Sequence, residues 1–167
     1  MVRHPSLRAF TLIELLVVIA IIALLSSVVL ASLNTARAKA RDAERRSDLE
    51  QLSTALELKY SDTGSYPASA GWLNNPNHGG LDSALTPTYI PSIPDDPTTS
   101  STAVDYLYWR EDYNMGLYCA GVAGRGIDHY DLYAHLENPS AADLAAFTTP
   151  VDQCVKNTWN MNFKKGN

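Results

Sequence analysis

The sequence predicts an α+β fold, in which a long amino-terminal α-helix packs on a small antiparallel β-sheet of three to four strands. Three observations lead to this prediction. No charged residue occurs from Leu15 to Ala36. The polar stretch that follows is rich in strong helix formers and carries a regular apolar stripe. Segments that alternate apolar and polar residues, typical of half-buried strands, come only after residue 103.

The uncharged segment is long enough to cross a membrane. At about 1.5 Å per residue it spans the roughly 30 Å hydrocarbon core of a bilayer. Residues 1–9 contain Arg3 and Arg8 but no acid, which predicts that the amino terminus faces the cytoplasm.

A single acid, Glu14, lies one turn inside the apolar boundary, where an ionised carboxylate costs about 2.5 to 3.5 kcal/mol to insert. Two plain alternatives exist for this segment. For a secretory signal peptide the apolar core is too long, although residues 31–33 could loosely serve as a cleavage site. A single-pass anchor fits the length, but Glu14 would then have to snorkel to the interface.

Residues 8–16, with the sequence Arg-Ala-Phe-Thr-Leu-Ile-Glu-Leu-Leu, resemble the class III signal of type IV pilins and of the pseudopilins of type II secretion systems. The resemblance implies that a prepilin peptidase cleaves between Ala9 and Phe10 and methylates the new amino terminus at Phe10. Ala9 stands where the family usually has glycine. The resemblance also implies that Glu14 pairs with the amine of Phe10 in a neighbouring subunit. A paired buried charge is far less costly than an unpaired one, so Glu14 would set the register of assembly.

Together with the composition, the resemblance predicts a pilin-like division of the chain into four parts. Residues 1–9 form a leader peptide, residues 10–36 a transmembrane or filament-core helix, residues 37–64 the amphipathic half of the same helix, and residues 65–167 a globular head of loops and β-sheet. The apolar stripe of the amphipathic half needs a sheet to cover it, and it consists of Leu49, Leu52, Leu56 and Tyr60.

The first part of this amphipathic half contains five basic residues that are interleaved with acids: Arg37, Lys39, Arg41, Arg45 and Arg46. The interleaving favours a solvated helix face with local ion pairs. Contacts between subunits or with lipid headgroups are the alternative. The helix is predicted to end near Ser61, with Gly64 as its carboxy-terminal cap.

In the head, the pattern predicts short elements separated by loops. A helical turn is expected over residues 81–85, and strands over residues 104–109, 116–120 and 130–136. Residues 111–114 would form the hairpin turn between the first two strands. A short helix is expected over residues 141–147, with Ser140 as its cap.

The two cysteines, Cys119 and Cys154, both lie on the predicted exported side. An even count in an oxidising compartment favours one disulfide, with a stabilisation of roughly 3 to 4 kcal/mol. Two buried thiols are the alternative.

The sequence carries no clear catalytic or metal-binding motif. His129 and His135, with nearby aspartates, match no closed zinc pattern, and no nucleophile motif is present, so an enzyme is not expected. No cofactor is expected either, although the resemblance leaves calcium open, because some pseudopilins bind it in a loop of the sheet. The carboxylates available for it are Asp95, Asp96, Asp105, Asp128 and Asp131. A net charge of −5 argues against a nucleic-acid binder.

These observations predict a structural subunit, a prepilin, of a type IV pilus-like filament. It would lie in the cytoplasmic membrane before assembly, and in a cell-surface or periplasm-side filament afterwards. Its partners would be membrane lipid, the prepilin peptidase, the inner-membrane assembly machinery and other copies of itself. The alternatives are a type II secretion pseudopilin and a membrane-tethered binding domain that never polymerises. The cysteine pair resembles the disulfide-closed carboxy-terminal loop common in pilins and favours the pilus.

Overall fold

The structure is a computed structural model that describes residues 10–68, 70–73, 80–98, 106–110 and 128–166. In chain order, its elements are α1 (Leu12–Thr63), β1 (Ala70–Trp72), α2 (Gly80–Leu85), β2 (Leu107–Arg110), β3 (Tyr130–Ala134), α3 (Ala141–Ala145), α4 (Pro150–Trp159) and β4 (Phe163–Gly166). The chain divides into two compact units, Met1–Ala38 and Lys39–Asn167.

Helix α1 begins just after Thr11 and ends just before Gly64. Gly64 has a φ of 71°, and its N–H donates to the Tyr60 carbonyl at 2.8 Å. This left-handed conformation at a helix end is easiest for glycine, because a Cβ would be strained there. The predicted glycine cap is therefore confirmed, and the helix ends within two residues of the predicted position.

The described part of the first unit is the amino-terminal portion of α1, and its large apolar side chains are exposed. Leu12 is 81% exposed and Val28 67% exposed. By length and composition, α1 contains a stretch that could cross a membrane.

The second unit contains an antiparallel sheet that has four strands within the described residues, in the order β1-β2-β3-β4. Strand β2 pairs with β3 so that Leu107 lies opposite Tyr133, and β3 pairs with β4 so that Tyr133 lies opposite Lys164. A long amino-terminal helix together with a small antiparallel sheet confirms the predicted α+β, pilin-like fold class.

Successive side chains of a strand point to opposite sides of the sheet, and strands β2 and β3 are buried on both of their faces. On one face, Tyr108, Tyr130 and Leu132 join a core cluster with the α1 stripe, in which Leu49, Leu52 and Leu56 are fully buried and Tyr60 is partly buried. The prediction that a sheet covers this stripe is confirmed. On the other face, a second cluster joins the sheet to α4, and it consists of Leu107, Trp109, Tyr133, Phe147, Val151, Val155 and Met161.

The prediction of a solvated basic face is wrong for Arg45, which is only 1% exposed. Its guanidinium binds Asp96 through Nε at 2.6 Å and through Nη2 at 3.1 Å. Nη1 donates to Asp42 at 3.0 Å and to Glu137 at 3.2 Å. We call these residues, together with Thr98, the Arg45 cluster. Its acids come largely from distant loops, which the local charge pattern could not indicate.

Several predicted elements of the head are present with shifted bounds. The first predicted strand is β2, the strand predicted over residues 130–136 is β3, and the predicted turn over residues 81–85 is helix α2. Ser140 caps α3 through a reciprocal pair of hydrogen bonds with Asp143, as expected for a capping box. The predicted hairpin and the strand over residues 116–120 lie outside the described residues.

Three elements were not predicted: β1, α4 and β4. Helix α4 begins with Thr149 as N-cap and Pro150 in its first turn, and the Asp152 side chain completes a second capping box. Strand β4 contains two lysines, and its pairing with β3 identifies it as a strand.

Candidate assembly site

The first turn of α1 is closed by reciprocal hydrogen bonds between Thr11 and Glu14. The backbone N–H and the hydroxyl of Thr11 donate to Glu14 Oε2 at 2.9 and 2.7 Å. In return, the backbone N–H of Glu14 donates to Thr11 Oγ1 at 3.3 Å. This is a capping box, which satisfies amide groups that a helix amino terminus otherwise leaves without partners.

The capping box explains how an acid fits at the start of an apolar helix. A carboxylate in the first turn is favoured by the partial positive charge at a helix amino terminus. Both in-chain bonds of the Glu14 carboxylate end on the same oxygen, Oε2. The role of Thr11 was missed at the sequence level, although the spacing Thr-x-x-Glu is itself a capping-box signal.

An exposed apolar surface surrounds this turn. Phe10 is 72% exposed, Ile13 is 69% exposed, and Leu16 and Val17 are about half exposed. Further along the helix, the hydroxyl of Ser27 donates to the Leu24 carbonyl at 2.7 Å, so it is satisfied within the helix. The surface therefore combines a large apolar area with one acid at its amino-terminal end.

Of the other predicted site residues, some lie outside the part of the chain that the structure describes. Ala9 and Cys119 lie outside the described residues, so the predicted cleavage position and disulfide stay predictions. Cys154 is half-buried on α4, and no described cysteine is free.

The carboxylates considered for calcium do not form a site within the described residues. No group of three or more His, Cys, Asp or Glu side chains is arranged there to hold a metal. Asp96 is bound by Arg45, and Asp131 pairs with Lys164 at 3.0 Å. Asp105 lies outside the described residues, so the calcium prediction is untested.

Comparison with known proteins gives one match. Residues 7–30 match the family described as the prokaryotic N-terminal methylation motif. No curated protein and no solved structure matches the chain.

The matched region contains Ala9, Phe10, Thr11 and Glu14. The chain therefore carries a class III signal of the type IV pilin-like kind, which supports a prepilin of the pilin or pseudopilin type. Such a motif implies processing by a prepilin peptidase and assembly into filaments. Proteins with this motif are structural rather than enzymatic, and the motif and the apolar helix fit membrane anchoring.

Proposed function

We propose that this chain, which carries a class III signal, is the structural subunit of a type IV pilus-like filament. The prepilin lies in the cytoplasmic membrane with its amino terminus in the cytoplasm. It is cleaved after Ala9, methylated at Phe10 and then assembled into a helical filament at the cell surface. The observation that carries this proposal is the exposed apolar surface of α1, with the Glu14 carboxylate at its amino-terminal end.

The exposed surface needs a cover both before and after assembly. Large apolar side chains from Phe10 to Leu33 are at least 40% exposed wherever their exposure is described. Each square ångström of apolar area removed from water contributes about 25 cal/mol. Lipid covers this surface while the chain is in the membrane, and equivalent helices cover it in the filament.

Glu14 then selects the register between subunits. Because both in-chain hydrogen bonds end on Oε2, we assign Oε1 to the methylated amine of Phe10 in another copy. N-methylation leaves the amine able to carry a proton. A subunit out of register would bury Glu14 without this partner, at a cost of several kcal/mol.

A pilus is favoured over a type II secretion pseudopilin by the cysteine pair. That no described cysteine is free supports an oxidised pair. A disulfide between Cys154 and Cys119 would close the carboxy-terminal loop in the manner common in pilins. We assign no catalytic residue, and the partners are lipid, the prepilin peptidase, the assembly machinery and further copies of the chain.

Substitution of Glu14 tests the register role. We expect Glu14→Ala to reduce the yield of sheared filaments by about tenfold or more, because a pairing worth at least 1.4 kcal/mol is lost. Glu44→Ala is the matched control, since Glu44 is an exposed acid on the same helix. The yield is measured by immunoblot of the sheared fraction, relative to the amount in the membrane.

Two results would overturn parts of the proposal. A Glu14→Ala yield equal to that of the parent would remove Glu14 as the register residue. A parent that forms no filaments when the assembly machinery is present would instead indicate a membrane-tethered domain.

A further inference from the structure

Four polar side chains meet on the face of the sheet that also packs against α4, and we call them the Lys164 cluster: Lys164, Asp131, Tyr133 and Asp152. Lys164 Nζ lies 3.0 Å from Asp131 Oδ1 and 2.9 Å from Asp152 Oδ1. The Tyr133 hydroxyl lies 3.2 Å from Asp131 Oδ2 and 2.9 Å from Asp152 Oδ1, and it shares its one hydrogen between these two acceptors. One amine is thus within contact distance of two carboxyl groups.

The cluster is buried, unlike an ordinary surface ion pair. The side chains of Asp131 and Asp152 are 0% exposed and that of Lys164 is 14% exposed. Tyr133 packs in the apolar cluster beneath α4, with its ring centroid 5.9 Å from that of Phe147. Such burial removes the amine and both carboxyl groups from water, which is costly unless the charges are paired with one another.

The two carboxyl groups differ in their surroundings. Asp152 Oδ2 accepts the backbone N–H groups of Thr148 at 3.1 Å and Thr149 at 2.9 Å. Burial acts to raise the pKa of Asp152, but hydrogen bonds from Thr149 and Lys164 lower it below its usual value. Asp152 is therefore held as a carboxylate, and its Oδ1 lies in contact with the Lys164 amine.

Asp131 is held by the pairing of two strands. It lies on β3 opposite Gly166 of β4, and a Cβ at Gly166 would collide with Asp131 Oδ1. The glycine therefore leaves the space that this carboxyl occupies. Burial and the two neighbouring carboxylates raise the pKa of Tyr133, so its hydroxyl stays a hydrogen-bond donor.

We propose that Lys164 and Asp131 form an intramolecular amide bond between Nζ and Cγ, with Asp152 as the catalytic carboxylate. The bond joins β3 to β4 and ties the carboxy-terminal strand covalently to the sheet.

The proton transfers balance without any further reagent. Asp152 relays one proton from the Lys164 ammonium to the Asp131 carboxylate, which leaves both groups neutral. The amine attacks Cγ of Asp131, and Asp152 takes a second proton from the nitrogen. Asp152 passes that proton to the departing hydroxyl, so the C–O bond breaks and water leaves. Ammonium and carboxylate thus become an amide and one water, with no oxidation or reduction.

The fold supplies the proximity that the reaction needs. A well-oriented intramolecular reaction can have an effective molarity of about 10⁵ to 10⁸ M. Here the amine, the acceptor and the base are each placed by a different element, namely β4, β3 and α4. The proposal does not depend on the proposed filament function, since it concerns the head alone.

Mass spectrometry of the purified full-length chain tests the bond. The sample is reduced, alkylated and digested with trypsin. We expect residues 126–156 to be linked to residues 157–165, in a peptide pair lighter by one water than the sum of its parts. Cleavage after Lys164 should be blocked, because the amide removes its charge.

Three variants serve as controls in the same assay. Lys164→Arg keeps the positive charge but cannot form this amide, so it should give no linked peptide. Asp152→Asn keeps the shape of the side chain but removes the base, so it should also give no linked peptide. Circular dichroism checks that this variant remains folded. Lys165→Ala changes the neighbouring lysine, which pairs with Glu50 at 2.6 Å, and should keep the link.

Unlinked peptides from the folded parent chain would overturn the proposal and leave the cluster as an ion pair. A link located at Asp152 by fragmentation would overturn the roles assigned to the two aspartates.

Discussion

At the scale of single residues, Arg45 shows how an arginine can be buried in the head. All three of its side-chain nitrogens donate to oxygens of the Arg45 cluster, and Thr98 Oγ1 accepts one of these bonds at 3.1 Å. A buried charge with its donors fully used is tolerated, whereas loss of a partner is costly. Asp42 also accepts the backbone N–H groups of Glu137 and Asn138, each at 2.8 Å. The cluster thus ties two loops to α1.

A neighbouring ion pair predicts acid sensitivity of the head. Asp143 accepts from Arg46 at 3.0 and 2.7 Å, and mainly for this reason its pKa is lowered from 3.8 to about 2. A carboxyl whose pKa is lowered by folding stabilises the folded state at pH values above the pKa that it has in the unfolded chain. This contribution is lost as the pH falls from about 4 to about 2. We expect a loss of about 1 to 2 kcal/mol over that range, allowing for screening at the half-exposed Arg46.

Denaturant unfolding of the full chain in detergent at several pH values measures this effect. Asp143→Asn should be less stable than the parent at pH 6, and the two should converge toward pH 2. Asp95→Asn is the control, because Asp95 is an exposed carboxyl in a loop outside helix α3. The same difference in the free energy of unfolding between the parent and Asp143→Asn at pH 6 and at pH 2 would contradict the lowered pKa of Asp143.

At the scale of elements, the stripe of α1 packs in one core cluster with residues of the sheet. Leu56 is fully buried in the core, whereas Leu58, two residues on, is 51% exposed. We expect Leu56→Ala to lower the free energy of unfolding by about 2 to 5 kcal/mol, because it leaves a cavity. The matched change Leu58→Ala should lower it by about 0.5 kcal/mol or less.

Thermal or denaturant unfolding of the two variants checks this prediction. Equal destabilisation by both changes would mean that the stripe does not face the sheet.

The elements that the sequence predicted are those with a regular local pattern. Helix α1 was visible from the spacing of its leucines, and β3 from its alternation of side chains. Helix α4 is short and mixed in composition, so only its cap residues, Thr149 and Asp152, could have indicated it. Strand β4 contains Lys164 and Lys165, which are poor strand formers, and its pairing with β3 defines it.

At the scale of the whole molecule, the two units differ in the exposure of their large apolar side chains. In the described residues of Met1–Ala38 the large apolar side chains are exposed, whereas in Lys39–Asn167 many are buried. The amino-terminal site could be predicted because its short motif is local in sequence. The Arg45 cluster could not, since Arg45 and Asp96 are 51 residues apart.

Removal of the leader would affect the start of helix α1. Cleavage between Ala9 and Phe10 would leave both members of the Thr11 and Glu14 capping box in the mature chain. The helix start would therefore survive removal of the leader. The cleavage would also create a charged amine at Phe10, one residue before the capping box.

Mass analysis of the amino-terminal peptide, from protein recovered in the membrane and filament fractions, tests the filament account most directly. We predict a peptide that starts at Phe10 and carries one methyl group on its amine. In cells that lack the prepilin peptidase, the peptide should instead include the leader. Recovery of the chain with Met1 and an intact leader from cells that have the peptidase would contradict the account.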